Sequence, residues 1–164
     1  MREKQNLPLR IRRANSADSS FVREVAIDVF QHLGDYGRIL PTWLLHDGVL
    51  THIAEEAGVA VGYTMLGFYP IGTAGSSGLV ADLLAIAVSP RAQGRGVGKK
   101  LLQHAIEHVR DAQRRLPVRE IKLSVADNNT RARKMFSELG FIIVPGEHGY
   151  YDGGQVALHM ARVV

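Results

Sequence analysis

Residues Leu79 to Arg115 constrain this chain more than any other stretch, because they place an apolar strand, a glycine-rich basic turn and an amphipathic helix in immediate succession. The run LVADLLAIAV is rich in β-branched and small apolar residues, too short to span a membrane, and bounded by Gly78 and Pro90, which predicts a buried strand. Leu101, Leu102, Ala105, Ile106 and Val109 recur at helical spacing, so a helix follows. Between the two stand Gly94, Gly96 and Gly98, then Lys99 and Lys100. Glycine lets a backbone approach an anion closely, since no Cβ intervenes and φ > 0 is allowed. The unpaired first-turn N–H groups and the helix dipole then hold the anion. Arg91, Arg95, Lys99 and Lys100 add complementary charge. The plainer alternative is a glycine-softened loop carrying solvated lysines.

Two common phosphate templates fail. A dinucleotide fingerprint needs glycine where Lys99 or Leu101 stands, and a P-loop needs glycine at Gln93 and a hydroxyl residue at Lys100. The stretch instead resembles the acyl-CoA motif of the GNAT N-acetyltransferase superfamily, Q/R-x-x-G-x-G/A, carried here by Gln93, Gly96 and Gly98. The resemblance implies acetyl-CoA as co-substrate, with its pyrophosphate on the backbone of Gln93, Gly94, Arg95, Gly96, Val97, Gly98 and Lys99. Its pantetheine arm would pair with Ile86, Ala87 and Val88 like an extra strand. A second GNAT pattern, N-x-x-A-x-x-x-Y-x-x-x-G-F, is matched by Asn129, Ala132, Phe136, Gly140 and Phe141, and implies the far wall of the CoA arm. Steps of three and four put the first four on one helical face. Read without the family they are an N-cap, two core residues and a helix-closing glycine. Phe136 departs from the pattern: the tyrosine usual there carries the hydroxyl often assigned as general acid to the leaving thiolate.

The rest of the chain fits one domain spanning residues 1–164. Leu9–Arg12 alternates as a first strand. Ser16 or Asp18 caps a helix running towards Gly34, and Pro41 opens a shorter helix to His46, with Trp43 turned inward. Leu50–Glu55 and Val59–Leu66 read as a hairpin turning at Ala57-Gly58, and 71–78 as a loop. Arg119–Val125 is a strand, Asn128 or Asn129 caps a helix to Leu139, and Phe141–Val144 and Gln155–Met160 finish the chain as strands. This order predicts an α/β (mixed α+β) fold, the GNAT fold by resemblance, with a mixed central sheet of about seven strands and helices on both faces.

A net charge of +4 and a pI near 9.6 suit an anionic ligand such as CoA. No aromatic-rich basic stripe or zinc-finger spacing points to nucleic acid. Absence of cysteine excludes disulfides and a thiol acyl-enzyme. The N-terminus shows no apolar signal region, so a cytoplasmic protein with no membrane partner is expected. The oligomeric state is left open, with a homodimer among the options.

Acetyl transfer to an amine needs a proton acceptor, donors for the thioester oxygen, and reprotonation or release of the thiolate. Asp82 is the expected base. It is the sole charged residue of its strand, and strict alternation puts it on one face with Val80, Leu84, Ile86 and Val88. Burial there would raise its pKa. In several GNAT enzymes a carboxylate or tyrosine six residues before the terminal valine, here Val88, serves as base; otherwise Asp82 is a strand-entrance aspartate paired with an arginine. Oxyanion donors are expected from backbone N–H groups near Ala87 and Val88. Direct attack in a ternary complex is implied, because no activated nucleophile is in view.

The tail from Tyr150 to Met160 resembles the YY-x-x-G-E-D-A-x-x-M ending of protein N-terminal acetyltransferases of the ribosomal-protein alanine type. In those enzymes the tyrosines help fix a peptide N-terminus, which makes Tyr150 and Tyr151 candidates for acceptor positioning or for the missing acid. Gln155 and Val156 replace the acidic pair, and tandem tyrosines before Asp-Gly-Gly also suit a plain hairpin. The amine acceptor therefore stays open between a peptide and a small molecule, with a catalytically silent CoA-binding module as the alternative. His104-Ala105-Ile106-Glu107-His108 fits the inverted zincin pattern, but its histidines fall on the polar side of the helix, so no metal site is expected.

Overall fold

The computed structural model describes residues 8–71 and 78–164. Its elements run β1 (Leu9–Arg13), α1 (Ser19–Phe30), α2 (Tyr36–Leu44), β2 (Val49–Glu56), β3 (Val59–Ile71), β4 (Gly78–Val88), α3 (Val97–Ala112), β5 (Val118–Ala126), α4 (Thr130–Glu138), β6 (Ile142–Ile143), β7 (Gly149–Tyr150) and β8 (Val156–Val163). The strands form one mixed sheet ordered β1-β2-β3-β4-β5-β8-β6, with β7 also on β8. Among the described strands only β4 and β5 run parallel, joined through α3. Most of the loop expected over 71–78 lies outside the described residues.

Helices cover both faces. Leu102, Ala105, Ile106 and Val109 of α3 pack with Leu83, Ile121, Leu123 and Phe136 on one side. Val22, Val25, Ala26 and Leu40 pack with Tyr63, Met65, Ala85 and Ala87 on the other. The β2–β3 turn has φ of 50° at Ala57 and 76° at Gly58, the geometry of a type I′ hairpin.

Several expectations change. Neither Ser16 nor Asp18 caps α1 with its side chain. Asn15 caps a single 3-10 turn before it, accepting from Ala17 N at 2.9 Å, while Asp18 accepts from Asn15 N and pairs with Arg12 at 2.8 Å. Pro41 lies inside α2 rather than at its start. The helix begins earlier because Gly37 lets it dock on α1, where a Cβ would come within 2.6 Å of Ile27 Cγ1, and because Leu40 is fully buried. That packing outweighs the one hydrogen bond proline removes. β3 runs on to Ile71 because β4 supplies partners as far as Gly78. The Phe141–Val144 strand shrinks to Ile142–Ile143, at the sheet edge.

The change that matters most for function is in β4. Met65 pairs with Ala85 but Leu66 with Leu83, so Leu84 is an extra residue, a β-bulge. The bulge reverses the alternation: Ala81 and Leu83 face α3, whereas Ala85 and Ala87 face α1 and α2. Asp82 therefore shares a face with Leu84, Ala85 and Ala87, and not with Ile86 and Val88.

Candidate acetyl-transfer site

β4 and β5 pair from Leu79/Val118 to Leu83/Leu123 and then part. Beyond that point β4 stays with β3 as far as Val88/Gly62, and β5 stays with β8 as far as Ala126/Ala157. A wedge-shaped gap opens between residues 84–88 and 124–126. Ser89 N donates to Val61 O at 2.8 Å, so by antiparallel alternation Ala87 N–H also faces β3, while Ile86 and Val88 turn their backbone into the gap. The donors available to a bound carbonyl or amide are therefore those of Ile86 and Val88; the Ala87 N–H, expected as a donor from the sequence, is turned to β3 instead. The Val88 carbonyl accepts from Gln93 Nε2 at 3.1 Å, which ties the strand end to the turn.

That turn is built as its glycines require. Gly94 and Gly96 have φ of 78° and 79°, and Gly96 is the N-cap of α3. The first α3 bond is Lys100 N to Gly96 O, so the N–H groups of Gly96, Val97, Gly98 and Lys99 have no partner within the helix. A Cβ at Gly96 would meet no heavy atom within 4 Å, so the space before the helix is open and a side chain would fill it. Gln93, Gly94, Val97, Gly98 and Lys99 line one groove with Val88, Ala132 and Met135. Arg95 is turned away, paired with Glu56 of β2 at 3.0 Å. Arg131, on the first turn of α4, supplies a cation that the sequence reading missed, 3.7 Å from where a Gly94 Cβ would stand. Its position two residues after the Asn129 cap was the available signal.

Asn129 accepts from Ala132 N at 3.1 Å and caps α4, so its helical motif role is the N-cap. Phe136 is 3% exposed, packs edge-on to Phe141 at 5.9 Å and forms the floor of the gap. Groove and gap meet at Ile86, Asn129 and Ala132, which line both.

The two tail tyrosines part company. Tyr150 is 75% exposed and does not line the gap. Tyr151 lines it, edge-on to Tyr36 at 6.5 Å, and burial pushes its hydroxyl pKa up to about 12, with Tyr36 adding to the rise. The loop that carries it is pinned to the α1–α2 connection. Gly153 N donates to Leu33 O at 3.0 Å, Gln155 Nε2 donates to His32 O at 3.1 Å, and a Cβ at Gly153 would collide with the His32 carbonyl.

Asp82 sits one rung below the gap, across from Lys122, and is half-buried. Desolvation raises its pKa, with Lys122 and His159 pulling the other way. Among the described residues it is not paired with an arginine. The histidines of the zincin-like motif are not on an open face: His104 and His108 pack on His52 of β2, with ring centroids 4.7 and 5.2 Å away. Among the described residues no group of three or more His, Cys, Asp or Glu is arranged to hold a metal ion. No helix among the described residues is long and apolar enough to cross a membrane.

Residues 17–141 match the family model described as acetyltransferase (GNAT) family. The chain belongs to the GNAT family. A curated relative, mycothiol acetyltransferase of a Nocardioides species, is 29% identical over 158 residues, covering 86% of this chain but 52% of its own length. The chain thus spans about half the length of that GNAT relative, and a third of a second mycothiol acetyltransferase from Propionibacterium freudenreichii. Among solved structures, the fold is similar to that of NAA60 from Arabidopsis thaliana in complex with acetyl-CoA, with TM-score 0.78, 15% identity, and 96% and 99% of the two chains covered. It is also similar to a ribosomal-protein-alanine N-acetyltransferase from Brucella melitensis, with TM-score 0.73, 21% identity, and 94% and 99% covered. At these identities the structural likeness establishes the GNAT fold alone.

Proposed function

We propose that this chain transfers an acetyl group from acetyl-CoA to a primary amine by direct attack within a ternary complex, and that it does so as a single domain. The observation that carries the reading is the meeting of the helix-capped groove with the strand gap at Ile86, Asn129 and Ala132. One continuous path leads from unpaired backbone N–H groups, suited to a pyrophosphate, to a narrow opening lined by strand backbone, suited to a thioester arm. The residues present fit the co-substrate: left-handed glycines leave open space before α3, and Lys99 and Arg131 border it. Bound acetyl-CoA supplies an acetyl thioester.

The chain's own groups then have distinct tasks. N–H groups at Gly96 to Lys99 hold the phosphates. The backbone of Ile86 and Val88 holds the arm and offers an N–H to the carbonyl oxygen. Asp82, with its pKa raised by burial and its place one rung below the gap, accepts through water a proton from the arriving ammonium, which as an α-amino group has an ordinary pKa of about 8. Tyr151 borders the gap where Phe136 offers no hydroxyl, and is the side chain placed to return a proton to the thiolate.

The acceptor we favour is a peptide or protein N-terminus. Tyr151 and Tyr36 frame the gap, and the pinned loop holds them there before any acceptor arrives, as a peptide-positioning rim requires. The test is a thermal-shift titration with acetyl-CoA followed by CoA release with two acceptors, a peptide with a free N-terminal alanine and a small polyamine. Stabilisation and turnover of the peptide are expected. Turnover of the polyamine alone would move the acceptor to small amines. Stabilisation without any turnover would make the chain a silent CoA-binding module, and no response to millimolar acetyl-CoA would overturn the reading.

A further inference from the structure

The polar face of β4, β5 and β8 carries a pair that the base assignment does not use. Ser124 of β5 stands directly across from His159 of β8, and its Oγ lies 3.1 Å from His159 Nδ1. Ser124 is one residue past the last β4–β5 rung and lines the gap; Asp82, one residue before that rung, does not. His159 is exposed, so its ring is open to water. His148 backs it: the two rings stack at 5.3 Å, and His148 Nδ1 accepts the backbone N–H of His159 at 2.9 Å. Near the pair among the described residues stand Lys122, whose Nζ lies 3.4 Å from Glu120, Asp82, across the strand from Lys122, and Tyr69 of β3, which feels all three charges.

We propose that Ser124 and His159 form a proton-relay pair for acetyl transfer, Ser124 touching the acceptor nitrogen and His159 receiving its proton. The inference rests on the acetyltransferase reading above and deepens it. A protonated amine must shed two protons: one before attack, which Asp82 accepts, and one as the C–N bond forms and the C–S bond breaks. In that second step the nitrogen gives a proton to Ser124 Oγ while Ser124 gives its own to His159 Nδ1. The imidazolium then gives up one proton to water and returns to its Nε2–H tautomer, and the proton taken by Asp82 balances the one the thiolate gains, so one proton reaches solvent per acetyl group moved. A side chain that exchanges protons near neutral pH suits this place, and the gap-lining serine supplies the reach that His159 lacks.

The relay requires His159 to carry its proton on Nε2, so that Ser124 donates to Nδ1. Nitrogen-15 NMR of the imidazoles in the free protein reads the tautomer with no acceptor present. An Nε2–H tautomer whose resonances shift in Ser124→Ala is expected, and an Nδ1–H tautomer would overturn the proposal. In turnover, Ser124→Ala and His159→Gln should each lower kcat about 10- to 100-fold, while leaving the acetyl-CoA thermal shift and the melting temperature unchanged. Added imidazole should restore part of the rate to His159→Ala. Wild-type kcat in both variants would overturn the relay. Failure of the wild-type protein to turn over any acceptor would instead count against the acetyltransferase reading, and the tautomer would still decide the pair.

Discussion

The groove before α3 and the polar face below the gap are built on opposite principles. The phosphate cradle of the groove is made of neighbours in sequence: Gln93 to Lys99 turn, cap and open a helix within seven residues, and their backbone does the binding. The polar face draws Asp82, Ser124, Tyr151 and His159 from four separated segments, and each is positioned by strand pairing or loop docking. A backbone cradle tolerates changes in its side chains but not in its φ angles. A face assembled across strands tolerates neither a register shift nor the loss of a single functional group.

The sharpest way to break that contrast is Gly96→Val. A β-branched residue is strained at φ 79°, and its side chain would fill the space the pyrophosphate needs. Acetyl-CoA at about 100-fold over its dissociation constant should stabilise the wild type by about 2.7 kcal/mol. In Gly96→Val that thermal shift should vanish together with turnover. A shift that survives would show that side chains, not backbone, hold the phosphates.

Asp82→Asn should do the reverse, lowering kcat by about 10²–10⁴-fold while leaving the acetyl-CoA shift intact. Because desolvation raises the Asp82 pKa, its carboxylate reprotonates at a higher pH than an ordinary aspartate, and activity should fall on acidification before that of a solvated base would. A loss of melting temperature in place of rate would make Asp82 structural.

Acid should also loosen the helix that carries the cradle. His52 of β2 lies buried against α3, facing His104 and His108, with Arg13 adding positive charge, and burial lowers its pKa from 6.5 to about 4. The neutral ring is favoured in the folded state, so its contribution is complete above the unfolded pKa and is lost as pH falls from 6.5 towards 4. The loss amounts to about 3 kcal/mol at most. His52→Leu should flatten that part of the stability profile; an unchanged profile would place the acid sensitivity elsewhere. Asp18 contributes in the same direction, because Arg12 holds its carboxyl below the usual range.

The smallest expected effect separates the tail tyrosines. Tyr151→Phe should lower kcat about tenfold, or about 1.4 kcal/mol, at unchanged acetyl-CoA affinity, and Tyr150→Phe should do nothing. A rise in the amine KM alone would make Tyr151 a positioning residue. Equal effects at both positions would contradict the placement of Tyr150 outside the gap. Phe136→Tyr, which adds a hydroxyl at the gap floor, should recover part of the Tyr151→Phe loss.

Legibility followed the same division. The strand, turn and helix of residues 78–112, the Asn129 cap and the Ala57-Gly58 hairpin were readable because each is set by residues a few positions apart. Pro41 was misread because the α1–α2 packing at Gly37 and Leu40 outweighs a local helix-start preference. The face of Asp82 was misread because a period of two assumes no bulge, and Leu84 inserts one.

What the sequence determined by itself is the cradle, since glycine conformations and helix N-termini are properties of a short segment. The tertiary structure alone decided which tyrosine enters the gap, that His104 and His108 meet His52, and that Ser124 meets His159 thirty-five positions away. Those meetings depend on strand register and on how one loop docks, and both are fixed by the packing of the whole sheet, not by any segment of it.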